Sequence, residues 1–184
     1  VAKMFRELGA TVLDADQLAR EVVEPKRLGY RRIVEQFGEQ VLNDDQTIDR
    51  KALARIVFAD PQARARLEAI VHPQVLRRIR QQLRQLRRRR VSAVVIDVPL
   101  LIEVGAHGLV DRLIVVTAPE DVQRQRLKRK FGWTKEDIDQ RIASQWDLSA
   151  KAALADYVVN NGDGLQHTRK QVRHIWKEAK QASR

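Results

Sequence analysis

The hydrophobic pattern of the chain changes at residue 91. Between Lys26 and about Arg90, apolar residues recur at spacings of three and four, which predicts helices throughout. Beyond that point the apolar residues form short, nearly continuous β-branched runs, which are typical of strands in a parallel sheet. These runs are VSAVVIDVPLL at 91–101, DRLIVVTAP at 111–119 and DYVVNN at 156–161. The pattern therefore predicts an all-helical block that is followed by a region of strands.

Helices alternate with the predicted strands. The run TVLDAD at 11–16 adds one strand near the N-terminus, and helical spacing marks about 120–130, 135–145 and 165–181. Such alternation predicts an α/β fold with a parallel sheet, interrupted by a helical insertion at 26–90. The strands are expected near 11–14, 92–97, 112–117 and 156–160. Within the helical block, Asp60 followed by Pro61 predicts the start of a helix, with Asp60 as its N-cap.

Composition and charge narrow the classes of function. The 184 residues contain no cysteine, which excludes disulfides, thiolate nucleophiles and cysteine-ligated metals. A chain without cysteine is suited to the reducing cytoplasm, which is the expected location. No apolar run approaches the roughly 20 residues that a membrane-spanning helix needs, so we expect no membrane partner. The formal net charge of +11 favours polyanionic ligands, either nucleic acid or a small phosphorylated molecule.

Much of the positive charge lies in RRIRQQLRQLRRRR at 77–90, which holds eight arginines and no acid. Leu76, Ile79, Leu83 and Leu86 recur at helical spacing in this segment, which favours a helix with its arginines in solvent. No aromatic residue alternates with the arginines, so a surface for stacking single-stranded bases is not indicated. Nucleic acid is thus not the favoured partner, although a basic nucleic-acid-binding module remains the alternative from a different class.

Acidic residues follow two of the predicted strands. Asp14 and Asp16 end the first strand, and Asp97 and Glu103 follow the second. In open parallel sheets, ligands bind beyond the carboxyl ends of the strands, so these acids are candidate site residues. The alternative for Asp14 is that it caps the helix that follows.

Motifs in this order and spacing resemble the dephospho-CoA kinase family. They are DADQLAR at 14–20, FGEQVL at 37–42, DRKAL at 49–53, HP at 72–73, DVPLLIE at 97–103, QRQRLKRK at 123–130, the glutamine of RIASQ at 145 and ADYVVNN at 155–161. The resemblance implies ATP-dependent phosphorylation of the ribose 3′-hydroxyl of dephospho-CoA, the final step of coenzyme A biosynthesis. ATP and dephospho-CoA are then the partners, with Mg²⁺ accompanying ATP. The oligomeric state stays open.

The resemblance also implies an architecture. It is an α/β fold with a three-layer parallel sheet of the P-loop kinase type, an inserted helical substrate domain and a helical lid. The expected core comprises 1–25, 91–119 and 155–184, the insertion 26–90 and the lid 120–154. Another P-loop small-molecule kinase, or a nucleoside monophosphate kinase, would share this architecture and remains the nearest alternative.

One family motif is absent from the sequence. No G-x-x-x-x-G-K-[ST] phosphate loop occurs, whereas in relatives this loop directly precedes a helix that resembles VAKMF. We therefore expect the sequence to start just after that loop and its strand, and to be incomplete for activity. The absent strand would lie inside the sheet, so 11–14 and 112–117 are expected not to pair directly.

Two catalytic residues follow from the resemblance. Asp16 matches the position that accepts the proton of the substrate hydroxyl, and Arg129 matches the lid arginine that stabilises charge on the phosphates. Arg126, three residues earlier, and Asn161 are expected to contact the nucleotide. For Asn161 a turn-forming role is an equally good account.

The substrate-binding candidates are Asp14, Arg20, His72, Leu101 and Glu103. No metal site is certain, and Asp14 is the candidate to contact Mg²⁺ through water. The alternative for Arg20 is a plain i,i+4 salt bridge with Asp16. The alternative for Leu101 is ordinary packing in the core. Because His72 precedes a proline, a fixed turn is expected there before the arginine-rich helix. The alternative for His72 is a structural histidine that caps a helix or bonds to the backbone.

Overall fold

The computed structural model describes residues 1–182, and helices dominate it. The helices are α1 (Ala2–Glu7), α2 (Ala15–Glu21), α3 (Leu28–Phe37), α4 (Arg50–Ala59), α5 (Pro61–Arg88), α6 (Glu120–Phe131), α7 (Lys135–Ala143), α8 (Leu148–Ala153) and α9 (Leu165–Ala182). The strands are β1 (Thr11–Asp14), β2 (Val94–Asp97), β3 (Ile114–Thr117) and β4 (Tyr157–Asn160). All four predicted strands are confirmed. Within this part of the chain, no helix has the length and apolarity needed to cross a membrane.

The strands form two separate pairs. β1 pairs with β2, where the Thr11 amide donates to the Ala93 carbonyl at 3.1 Å. β3 runs parallel to β4, with Ile114 opposite Tyr157 and Thr117 opposite Asn160. Within residues 1–182 no ladder joins β1 to β3, as the sequence predicted. The parallel pairing and the many helices confirm the α/β class.

The chain divides into two compact units. The first contains Val1–Val12, Ser92–Val95 and the chain from Pro99 onward. Its main core is formed by side chains from α1, β4 and α9, among them Phe5, Val159 and Trp176. The rings of Phe5 and Trp176 meet edge to face with centroids 6.4 Å apart, a favourable geometry for an aromatic pair. Val159 of β4 is thus fully buried in this core, whereas its neighbour Val158 is exposed.

The second unit contains Leu13–Val91 and Ile96–Val98, and α5 is its central element. One cluster joins α3, α4 and α5 around Ile33 and Leu53, both nearly inaccessible to solvent. A second cluster joins α2 to α5 through Leu18 and Ile79. Burying an aliphatic side chain of this size stabilises a fold by about 1.5–3 kcal/mol, so α5 is fixed on two sides along its length.

The arginine-rich segment is the second half of α5, and a turn at His72 is not formed. Helix α5 runs without interruption for 28 residues and contains Pro73 in its interior. The predicted turn is therefore wrong. Proline removes one amide donor from the helix, but buried Val75 and Ile79 hold the following turns against α2, which offsets that loss. The arginines of the segment lie mostly in solvent, as their spacing predicted.

Helix α5 begins as its sequence indicates. Asp60 is the N-cap, and its Oδ1 accepts a hydrogen bond of 2.8 Å from the amide of Gln62. Pro61 occupies the first helical position, where its missing N–H has no intrahelical partner to lose. This start, predicted from Asp60 and Pro61 alone, is confirmed.

Candidate active site

Asp14 joins the end of β1 to the start of α2. Its Oδ1 accepts hydrogen bonds from the backbone amides of Asp16 at 2.9 Å and Gln17 at 3.1 Å. Asp14 is therefore the N-cap of α2, which is the alternative that the sequence left open. Because both amides bind the same oxygen, Oδ2 makes no hydrogen bond to the residues that the structure describes. One carboxylate oxygen thus orders the backbone while the other remains available to a ligand.

Asp16 lies in the first turn of α2 with an exposed side chain. A carboxylate at this position is favoured by the partial positive charge of the helix N-terminus. Arg20 is exposed one turn later, and no ion pair joins it to Asp16 among the described residues. The i,i+4 salt bridge considered for this pair is thus not formed, and both side chains face solvent without each other as partner.

Asp97 ends β2, and its charge interacts with those of Asp14 and Asp16. Asp97 is exposed, but neighbouring protein partly desolvates its carboxyl and raises its pKa, and the negative charges of Asp14 and then Asp16 raise the pKa further. The structure therefore groups these three carboxylates in one electrostatic neighbourhood. Sequence reasoning named Asp97 among the strand-end acids but gave it no role.

Leu101 and Glu103 lie on the loop that follows β2. Leu101 is buried, while Glu103 forms an ion pair with Lys151 of α8, and the two charged side chains are only 14% and 10% exposed. Burial raises the pKa of the Glu103 carboxyl, but the Lys151 ammonium and the backbone amides of Glu103 and Trp146 together lower it by more, so the pKa lies below its usual value. Lys151 Nζ also donates to Gln145 Oε1 at 3.2 Å. Lys151 was not identified from the sequence. The one feature that sets it apart there is that it is the single charged residue of the segment LSAKAA.

Helix α6 carries Arg126 and Arg129, the two arginines that were expected to contact the nucleotide phosphates. Arg126 is half-buried and Arg129 is exposed, and neither forms an ion pair with another described residue. Arg124 is instead held by Glu120 of its own helix and Asp139 of α7. Sequence reasoning missed this bridge, although Glu120 and Arg124 have the i,i+4 spacing of a helical ion pair. Arg126 and Arg129 are therefore the α6 arginines left free to bind an anion.

The loop after β4 is closely ordered around Asn161. The Asn161 amide donates to the Thr117 carbonyl at 2.7 Å, and Thr168 Oγ1 donates to Asn161 Oδ1 at 3.1 Å. A Cβ on Gly162 would lie 2.5 Å from Pro119 Cδ, so only glycine fits at this approach. The side chain that forms a turn here is that of Asn160, whose Oδ1 accepts a hydrogen bond of 2.7 Å from the Gly162 amide. A nucleotide contact through the free amide nitrogen of Asn161 stays a prediction.

Two further expectations concern His72 and metal binding. His72 lies half-buried in the middle of α5 rather than at a turn. Across residues 1–182, no group of three or more histidine, aspartate or glutamate side chains has a metal-binding arrangement. A cation at the acids of β1 and α2 would therefore depend on water or ligand oxygens for most of its coordination.

Comparison with known proteins gives consistent matches along the chain. The family described as Dephospho-CoA kinase matches residues 1–167. A dephospho-CoA kinase of Geobacter metallireducens is 45% identical over 178 residues, covering 97% of this chain and 89% of that protein. The corresponding protein of Geobacillus kaustophilus is 42% identical with the same coverage.

Solved structures share the fold. A crystal structure of a Thermus thermophilus protein matches with a TM-score of 0.80 and 31% identity, covering 96% of this chain and 88% of that one. The dephospho-CoA kinase from Campylobacter jejuni matches with a TM-score of 0.72 at 24% identity, covering 99% of this chain and 90% of that one. The second likeness concerns the fold alone.

Proposed function

The chain belongs to the dephospho-CoA kinase family, and from this premise we propose that it phosphorylates the ribose 3′-hydroxyl of dephospho-CoA with ATP to give coenzyme A. The observation that carries the proposal is 45% identity to a dephospho-CoA kinase along 97% of the chain. The grouped carboxylates of Asp14, Asp16 and Asp97 support it, because an acceptor hydroxyl needs a nearby oxygen to receive its proton.

In the proposed reaction, the 3′-oxygen attacks the γ-phosphorus of ATP as the bond between that phosphorus and the ADP oxygen breaks. The hydroxyl proton passes to the carboxylate of Asp16. Asp14 supports this role because its hydrogen bond to the Asp16 amide fixes where the Asp16 side chain leaves the helix. Such a positioned base typically contributes about 10² to 10⁴ in rate.

The acidic cluster fits Mg²⁺ bound mainly through water and ATP. Asp14 would contact the ion through water with its unengaged Oδ2, since Mg²⁺ prefers oxygen ligands and keeps several waters. When bound, Mg²⁺ neutralises charge on the ATP phosphates.

Arg129 and Arg126 of α6 are proposed to contact the phosphates. Both lack carboxylate partners among the described residues, whereas neighbouring Arg124 is occupied by Glu120 and Asp139. A guanidinium suits phosphate because its planar array of N–H groups can donate two parallel hydrogen bonds. We assign charge stabilisation to Arg129 and nucleotide binding to Arg126, and adenine-side binding to Asn161.

Dephospho-CoA is proposed to contact Arg20, His72 and Leu101 together with Asp14. Arg20 supports this role because it is exposed and has no ion pair with Asp16. We further propose the three-layer arrangement, with 26–90 as the substrate domain and 120–154 as the lid. The core would comprise 1–25, 91–119 and 155–184.

The test is an assay of the full-length protein with ATP, Mg²⁺ and dephospho-CoA. Coenzyme A is expected as the product, identified by mass spectrometry, and the Asp16→Asn variant should form it far more slowly. Adenosine and cytidine monophosphates serve as alternative acceptors. A faster reaction with either nucleotide than with dephospho-CoA would assign the chain to the nearest rival activity.

A further inference from the structure

We propose that Glu103 and Lys151 are positioning residues that couple the loop at 99–106 to the segment at 145–151, a role that rests on the proposed function. The first segment contains the PLLIE motif on the substrate side, and the second ends the expected lid. Glu103 was expected to contact the substrate directly. The geometry points instead to an action through Lys151.

The carboxylate of Glu103 is enclosed by protein. Both of its oxygens are inaccessible to solvent and neither makes a well-formed hydrogen bond to the described residues. The Lys151 ammonium, together with the backbone amides of Glu103 and Trp146, compensates for burying this charge. A buried charge that loses its one counter-ion is strongly unfavourable, so each side chain restricts where the other can lie.

The loop is held by packing as well as by this ion pair, since Leu101, Ile102 and Ala106 are buried. The loop is closed by short-range backbone hydrogen bonds, in which the amides of Val104 and Ala106 donate to the carbonyls of Leu100 and Leu101. Helix α8 has only six residues, and Asp147 caps it. Lys151 connects this helix both to Glu103 and, at 3.2 Å, to Gln145. Lys151 therefore adds a polar contact between the loop and the helix to the packing of each segment.

A buried ion pair is weak evidence for stability, since a well-packed apolar pair of the same size is often equally stable. Its value lies in selecting one arrangement of the two segments. If the loop contacts dephospho-CoA and the lid contacts ATP, this pair transmits the binding of one substrate to the other. Such coupling is reciprocal: each substrate changes the affinity for the other by the same factor, typically about 5- to 150-fold.

The experiment compares four variants of the full-length protein: Glu103→Gln, Lys151→Met, the double variant, and Glu7→Gln as control. Glu7 forms an ion pair with Arg169, but both side chains are about 40% exposed. The KM for ATP is measured at low and at saturating dephospho-CoA, and Tm is measured for each protein. In the wild type and the control, KM for ATP should differ about fivefold or more between low and saturating dephospho-CoA.

Each single variant should have a lower Tm than the wild type. Its KM for ATP should be nearly the same at low and at saturating dephospho-CoA. The double variant leaves no unpaired buried charge, so its Tm should recover while the coupling stays lost. If the double variant recovers both Tm and the dependence of KM on dephospho-CoA, the pair has a purely structural role and the proposal is overturned. The proposal is also overturned if KM for ATP of the wild type does not depend on dephospho-CoA.

Hydrogen exchange separates failure of this inference from failure of the proposed function. If the full-length protein forms no coenzyme A, the proposed function fails, but amide exchange still tests the coupling. Glu103→Gln should speed exchange at 146–153, and Lys151→Met should speed it at 99–106, relative to the control variant. Unchanged exchange in the partner segment would overturn the proposal.

Discussion

Asp14 Oδ1 accepts a 2.9 Å hydrogen bond from the backbone amide of Asp16, so the first acid of the D-A-D motif positions the second. The capping role and the site role of Asp14 are thus compatible. The carboxylate that orders the start of α2 also fixes the direction of the proposed base. This relationship explains why two acids stand one residue apart where a strand gives way to a helix.

Asp16→Asn should lower kcat of the full-length enzyme by about 10² to 10⁴, because the substitution keeps the shape but removes the proton acceptor. KM for dephospho-CoA should change little, since the amide still fills the same position. Steady-state kinetics with both substrates varied provides the measurement. Near-normal turnover would show that the acid pair serves only to cap α2.

Arg129→Ala should lower kcat through lost stabilisation of charge on the phosphates. Arg88→Ala is the matched control, because Arg88 is also exposed near the end of a helix but lies in the arginine-rich part of α5. The control should retain full turnover. Equal losses in the two variants would mean that net charge, rather than a specific contact, affects the rate.

Gly162→Ala should destabilise the first unit, because the new Cβ would lie 2.5 Å from Pro119 Cδ. Relieving such an overlap requires the loop to shift, which costs about 1–3 kcal/mol. Gly108→Ala is the control, since a Cβ there meets no atom within 4 Å. Chemical denaturation should separate the two variants, and equal stability would contradict the close approach.

The long periodic segments could be predicted from the sequence because each depends on local pattern. The β-branched runs gave all four strands, and Asp60 with Pro61 marked the start of α5. The turn at His72 was wrong because a local proline rule competed with tertiary packing. There, Val75 and Ile79 are buried against α2 and stabilise a continuous helix.

The contacts of individual charges were less accessible to sequence reasoning. Glu103 and Lys151 are 48 residues apart in the chain, and no periodic pattern relates residues at such a separation. Asp16 and Arg20 have ideal spacing for an ion pair, yet none forms. Helical spacing permits a contact between two side chains, but the surrounding structure decides whether it is made.

Acid should weaken the contribution of Glu103 to stability. Its pKa is lower in the folded protein than the usual 4.5, so the folded state favours the ionised form. The contribution is therefore complete above pH 4.5 and is lost as the pH falls through the folded pKa. The stability difference between wild type and Glu103→Gln, measured by urea denaturation, should shrink below pH 4.5. A constant difference would contradict the ion pair.

Asp97 should show the opposite dependence on pH. Burial, together with the charges of Asp14 and Asp16, raises its pKa above the usual 3.8, so the folded state favours the protonated form. Ionised Asp97 therefore destabilises the protein above its folded pKa, and this effect disappears below pH 3.8. Because asparagine resembles the protonated acid, Asp97→Asn should be more stable than wild type at neutral pH.

Urea denaturation of wild type and Asp97→Asn across this pH range provides the measurement. The advantage of the variant should decrease as the pH falls through the folded pKa and vanish below 3.8. Asp111→Asn is the control, since Asp111 is an exposed acid outside the cluster. Adding Asp14→Asn to Asp97→Asn should then give less than the sum of the two effects, because each removes the repulsion between the same two charges. Additive effects would show that burial alone raises the pKa of Asp97.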